Sequence, residues 1–282
     1  MVFGLNLFEV LGWLVFLLFV AVYAFKREML DEAGVVSAIF VGLVLLFVPQ
    51  NPSGWVWLLV LLFFFVLGSF ASKFKKDSKK QVEENFAKGG ARNFMQVIAN
   101  GVGGLVFAVA SFFTLSTIPF AGFIFSVSAM AGDTLSSELG VLSKTPPVSI
   151  KTLKRVEKGV SGGVTVVGLI AGILGGFLIG VFAVLLLFYI GVQPPGGIEL
   201  FLIFSTLSGF FGSLVDSLLG VFMQGLYYCP KCRVLTERKV HKCGTETKLI
   251  KGLKWMDNDV VNMLAGLIVG VAGFLIFYFL VM

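Results

Sequence analysis

All 22 Lys and Arg residues of this chain fall in four stretches, residues 26–27, 73–92, 144–158 and 231–254, with long apolar segments between them. The apolar segments come in pairs, and the connectors within a pair, residues 49–54, 116–119 and 192–197, carry no positive charge. Cytosolic loops of membrane proteins collect Lys and Arg, whereas translocated loops do not. An all-α polytopic membrane protein of about eight transmembrane helices is therefore expected, with the basic loops cytosolic and both termini outside.

Composition agrees. The 282 residues are 57% hydrophobic and only 13% charged, against about 25% charged in a globular domain. Runs of about 20 apolar residues cross the hydrocarbon core, and eight segments fit: 5–25, 33–48, 55–72, 94–115, 119–139, 162–190, 198–226 and 258–281, the second and third being short. The first does not read as a cleavable signal, because no basic residue precedes it and no small-residue cleavage site follows. The net charge of +6 is accounted for by topology and by an anionic membrane lipid surface, so no nucleic-acid partner is expected.

The chain divides into residues 1–92, three greasy lipid-facing helices plus a basic loop that reads as a solvated linker, and residues 93–282, a five-helix bundle that includes a loop at 227–256. Each helix of the bundle carries small or polar residues at steps of three and four, which stay on one face. Asn93, Gln96, Asn100 and Gly103 form one such stripe, and Ser205, Gly209, Gly212, Asp216 and Gly220 another. Small residues let membrane helices approach closely.

The carboxylates among them carry the chemistry. By a rise of 1.5 Å per residue, Asp133 lies about 10 Å and Asp216 about 15 Å inside the cytosolic ends of their spans. Glu138, Asp257 and Asp259 sit at the boundary. A buried carboxylate is costly without a cation or partner, and no Lys or Arg lies within a span. Mg²⁺ suits one or two carboxylates plus substrate phosphates, so a site drawing on Asp133, Asp216, Asp257 and Asp259 is expected. The alternative is protonated or amide-paired acids that glue helices together.

Anion-binding parts lie at the same level. Lys158, Gly159, Ser161, Gly162 and Gly163 stand where the sixth span leaves the cytosol, and glycines at a helix N-terminus expose backbone N–H groups to phosphate. Lys144 and Lys151 lie just upstream; Arg92, Asn93, Gln96 and Asn100 add donors at the start of span four. The one histidine lies elsewhere, so Ser-His-Asp and Cys-His catalysis are excluded from the bundle. Phosphoryl transfer to an acceptor that is already a phosphate needs mainly positioning and charge neutralisation.

Cys229, Cys232, His241 and Cys243 form two closely spaced knuckles with four soft ligands, as a closed structural Zn²⁺ site wants. Free reduced cysteines are the alternative. The zinc would pin residues 227–256 and hold Lys248, Lys251 and Lys254 near the bundle mouth.

The strings Gly132 to Gly140, Gly159 to Gly163, Asp216 to Gly220 and Trp255 to Asn262, with the cysteine knuckles, resemble the integral membrane family of plant phytyl-phosphate kinase and animal transmembrane protein 19. The likeness runs from about Asn93 to the C-terminus. It implies phosphorylation of an isoprenoid monophosphate to the diphosphate by a nucleoside triphosphate, CTP being the expected donor. Asp133, Asp216 and Asp259 would then be metal ligands, supported by Glu138 and Asp257. Asn93, Asn258 and Asn262 would orient phosphate or ribose, and Lys158 with its glycine turn would hold donor phosphates. The prenyl tail is expected along the glycine-lined helices.

Competing readings keep the same parts: a CTP-dependent polyprenol kinase or a lipid cytidylyltransferase. Another class is a transporter, although transporter sites lie near the midplane in repeated halves, whereas these polar groups crowd one leaflet. Chain length and nucleotide preference stay open, as does a homodimer.

Overall fold

The computed structural model describes residues 7–49, 51–76, 78–79, 91–114 and 116–281. Eight long helices follow in order: α1 (Leu7–Lys26), α2 (Glu32–Phe47), α3 (Gly54–Lys73), α4 (Phe94–Thr114), α5 (Ile118–Gly140), α6 (Val166–Tyr189), α7 (Ile198–Phe222) and α8 (Asn258–Val281). Seven are long and apolar enough to cross a membrane. The exception is α2, whose 16 residues cover about 24 Å. The third span, expected to be short, is a full 20 residues.

Local chemistry sets the helix starts. The Asp31 side chain accepts from Gly34 N at 2.7 Å to open α2, and Thr165 accepts from Gly168 N at 3.0 Å to open α6. Asn93 and Gln96 form a reciprocal capping box before α4: each side-chain oxygen accepts the other's backbone N–H, at 3.0 and 3.1 Å.

Helix α5 is the hub, with 89% of its membrane-spanning window buried against 17% for peripheral α1. It packs against α3, α4, α6, α7 and α8. Its glycine and serine face permits this. Gly132 meets Gly209 of α7 backbone to backbone. A hydroxyl relay then ties three helices: Ser128 lies 2.8 Å from Ser205, whose Oγ donates to the Gly176 carbonyl at 2.7 Å. Toward the other end, Trp57 of α3 lies under Phe120 and Phe123, with centroids 5.1 and 4.8 Å away. Half of the α3 window is buried, so this helix belongs to the core rather than to a lipid-facing flank.

Two small sheets cover the end that carries the basic loops. Strands β1 (Val148–Ser149) and β2 (Gly163–Val164) pair antiparallel. Strands β3 (Leu226–Cys229), β4 (Val234–Thr236) and β5 (Lys248–Lys251) form an antiparallel sheet of order β4-β3-β5. Because residues 226–229 are a strand, α7 stops at Phe222 and not at 226. Asp216 therefore lies about 9 Å inside its helix end, not 15 Å, and comes level with Asp133.

Candidate active site and metal cluster

At the basic end, α5, α7 and the 143–165 segment enclose a cleft of about 1090 Å³. Asp133 and Asp216 line it from facing helices, with Ser136, Ser137 and Ser217 beside them. Opposite lie Lys158 and the Gly159–Gly163 turn, including Ser161 and Gly162. Asn258 closes one side. A second cleft of about 1220 Å³ adjoins it, lined by Glu28, Lys73, Arg92, Gln96, Asn100 and Asn262. The two share Asp133, Ser137, Glu138 and Asn258. Two chambers thus meet at one buried carboxylate.

Second contacts hold the carboxylates. With its amide nitrogen turned toward the acceptors, Asn262 donates to Asp216 Oδ1 at 2.8 Å and to the Asn258 carbonyl at 3.2 Å. Asn258 and Asn262 are four residues apart and share a helical face. Asp259 lies about 100° round the helix from Asn258 and lines neither cleft. Asp257 is exposed and caps α8, accepting from Asp259 N and Val260 N at 3.1 Å. The expected four-acid set therefore reduces in space to Asp133 and Asp216.

The glycine turn also differs from expectation. It does not begin a helix, because Thr165 already caps α6 and Gly163 belongs to β2. Its shape is fixed by packing: Gly162 has φ +80°, and a Cβ there would stand 2.5 Å from Val221 Cβ. Lys158 Nζ donates to the Ser143 carbonyl at 2.7 Å, while Ser161 Oγ donates to Glu237 Oε1 at 2.5 Å. Lys144 and Lys151 line neither cleft. Lys151 lies instead over the Phe222 ring at 5.2 Å. Burial, and then the charge of Lys151, lower the pKa of Lys251. Asn93 is spent on its capping box.

The basic 73–92 loop read as a solvated linker. Residues 80–90 lie outside the described residues, but Lys79 is fully buried. Its Nζ donates to Glu138 Oε2 at 2.6 Å and to the Ala71 carbonyl at 2.7 Å, while Ser72 Oγ donates to Glu138 Oε1 at 2.8 Å. Glu138 is thus an ion-pair partner reached from beyond the end of α3, a pairing invisible to the periodicity of its own helix. Lys79→Met is expected to destabilise the protein by roughly 2–3 kcal/mol, below the full cost of an orphaned buried charge because Glu138 is partly exposed. Lys79→Met with Glu138→Leu should recover much of that loss in thermal unfolding; no recovery would mean that the ion pair is not the cause. Arg92, also from this loop, donates through Nη1 to Ser69 Oγ at 3.0 Å. Burial lowers its pKa, and the charge of Glu138 opposes that.

Beyond the clefts, the ligand atoms of Cys229, Cys232, His241 and Cys243 all lie within 4.8 Å of one another. This group could hold a metal ion. Cys229 Sγ and Cys243 Sγ are 3.7 Å apart, and His241 Nδ1 is 3.2 Å from Cys243 Sγ. A tetrahedron with metal–sulfur bonds of about 2.3 Å has S···S edges of about 3.8 Å. Thr245, and next His241, pull the Cys243 thiol down to about 5, whereas its hydrogen bond with Cys243 pushes Cys232 up to about 11.

A family model described as integral membrane protein DUF92 matches residues 15–270. The chain belongs to this integral membrane family. It is the family to which the motif resemblance pointed. Protein PGR of Arabidopsis thaliana is 32% identical over 263 residues, covering 87% of this chain and 88% of that one. An uncharacterized membrane protein of Methanocaldococcus jannaschii is 34% identical over 254 residues, covering 89% and 87%. Protein VTE6, chloroplastic, of Arabidopsis thaliana is 24% identical over 240 residues, covering 83% of this chain and 61% of that one. No solved structure matches significantly. The chain is a multi-pass integral membrane protein.

Proposed function

We propose that this protein is a membrane-embedded kinase that transfers the terminal phosphoryl group of a nucleoside triphosphate, CTP being the expected donor, to an isoprenoid monophosphate such as a prenyl or phytyl phosphate. The observation that carries the reading is the pair of clefts meeting at Asp133, which gives two phosphorylated substrates separate approaches to one carboxylate. Family membership supports it through the reaction that the motif resemblance implies.

The residues divide the work. Lys158 and the backbone of the Gly159–Gly163 turn hold the donor phosphates, with Ser161 keeping the turn seated on Glu237. Asp133 and Asp216 are the residues that would hold Mg²⁺. When bound, the ion neutralises phosphate charge that would otherwise be repelled by two carboxylates. Asn262 orients Asp216 through its hydrogen bond. An acceptor phosphate oxygen attacks the terminal phosphorus, the bond to the bridging oxygen breaks, and its electron pair leaves with the nucleoside diphosphate. The acceptor is already anionic at neutral pH, so no general base is required, which favours a phosphate acceptor over a free alcohol. The positive charge gathered in four loops supports a cytosolic face for this chemistry, with both termini outside.

The test supplies purified protein with geranylgeranyl or phytyl monophosphate, Mg²⁺ and each nucleoside triphosphate. Lipid diphosphate and nucleoside diphosphate are expected in equal amounts. Pyrophosphate release would instead identify nucleotidyl transfer, and no product with any donor would refute the kinase for these acceptors.

The cysteine cluster is assigned a structural Zn²⁺, because its four protein ligands leave no open position. A strong chelator is expected to raise hydrogen exchange across residues 226–251 and in the Gly159–Gly163 turn that Glu237 braces. Unchanged exchange after measured zinc loss would contradict the structural role.

A further inference from the structure

We infer that the apolar cavity between α1, α2, α3 and α4 holds the tail of a single-chain lipid monophosphate, whose phosphate is gripped by Arg92 at the cavity's polar end. The identity of that lipid rests on the kinase reading; the place assigned to it is new. The cavity opens to its surroundings and, with that open space counted, amounts to about 690 Å³. Its walls are hydrocarbon, with Leu17, Val41, Leu58, Leu62 and Phe64 among them. Among the described residues, only two that line it are polar, Arg92 and Asn100, and these same two also line the 1220 Å³ cleft that contains Asp133. Cavity and cleft therefore join at a cation.

The guanidinium is under-used. A guanidinium has five N–H donors, and among the described residues Arg92 spends one side-chain bond on Ser69 Oγ and faces Phe65 at 4.9 Å. No ion pair to Arg92 occurs among the described residues. Gly68 leaves the space that Arg92 occupies: a Cβ at 68 would stand 2.8 Å from Nη2. A planar guanidinium matches a phosphate bidentately. The glycine-lined faces, where the tail was expected, are filled, since a Cβ at Gly176 would stand 2.5 Å from the Ser205 carbonyl oxygen. One apolar tail and one anionic head describe the occupant that fits what remains.

The test photolabels the full-length protein in nanodiscs, without nucleotide, using geranylgeranyl monophosphate with a diazirine at the tail end. Labels are expected on α1 to α4 at positions such as Val41, Leu58 and Leu62. Labels confined to α6–α8 would overturn the inference. Arg92→Gln should weaken binding of the monophosphate at least about tenfold while leaving geranylgeraniol binding unchanged, and Arg92→Lys should recover part of the loss. Ala38→Phe, which fills the cavity, should weaken both. Inorganic phosphate and two-chain phosphatidic acid should not displace the probe, and displacement by either would overturn the assignment to a single-chain lipid. Labelling in this cavity with no turnover under any nucleotide would support the site and refute the kinase. Normal turnover and binding in Arg92→Gln would do the reverse.

Discussion

Asp216→Asn is expected to fold normally and to lose turnover on the order of 100-fold or more. Asparagine has nearly the same shape, and its side-chain oxygen still accepts from Asn262, which now lies 2.8 Å from Asp216 Oδ1. What disappears is one negative charge, level with Asp133 and across the cleft from it. In the proposed kinase, binding of Mg²⁺ with the donor phosphates would depend on that charge, so the loss should appear in kcat and in Mg²⁺ affinity while the thermal unfolding midpoint holds. Asp133→Asn should behave alike. Asp257→Asn is the contrast: it keeps a capping side chain at an exposed position outside both clefts, and turnover should survive. Equal losses in all three variants would show that position in the cleft does not decide function.

Gly132→Ala is expected to destabilise the bundle by about 3 kcal/mol or more. Its Cβ would lie 2.5 Å from the Gly209 carbonyl carbon and Cα, and backbone cannot swing aside as a flexible side chain can. Relief requires α5 and α7 to separate, which would also part Asp133 from Asp216. Activity should therefore fall with stability. Gly12→Ala and Gly273→Ala provide controls on other membrane helices. A Cβ meets nothing within 4 Å at Gly12 and only ordinary contacts of 3.4 Å or more at Gly273. Thermal unfolding of the purified proteins should separate Gly132→Ala clearly from both controls, and overlap would discount the close approach of α5 and α7.

Hydropathy and charge made the eight helices legible, because a bilayer forces length and apolarity onto every span. Helical spacing likewise exposed Asp133 and Asp216 as acids on small-residue faces. Spacing failed where the chain leaves a helix. The expected span ran to 226, yet the helix ends at Phe222 and residues 226–229 pair with β4 and β5, and that one misreading placed Asp216 too deep. Lys79 looked like a member of a solvated basic loop, and Arg92 like a donor at the start of span four. Charge counts cannot reveal that one folds back onto Glu138 and the other under Ser69. The capping roles of Asn93 and Asp257 depend on helix boundaries, which periodicity fixes only to within a residue or two. The Cys229, Cys232, His241 and Cys243 group was legible because its ligands are close in sequence and needed little folding to meet.

The most direct test is the position of a Mn²⁺ ion in the protein bound to a non-hydrolysable CTP analogue, located by its anomalous scattering. The account requires the ion to be ligated by Asp133 and Asp216 together, with the analogue's phosphates running toward Lys158 and the glycine turn. An ion found elsewhere with the analogue bound, or one touching neither aspartate, would contradict it.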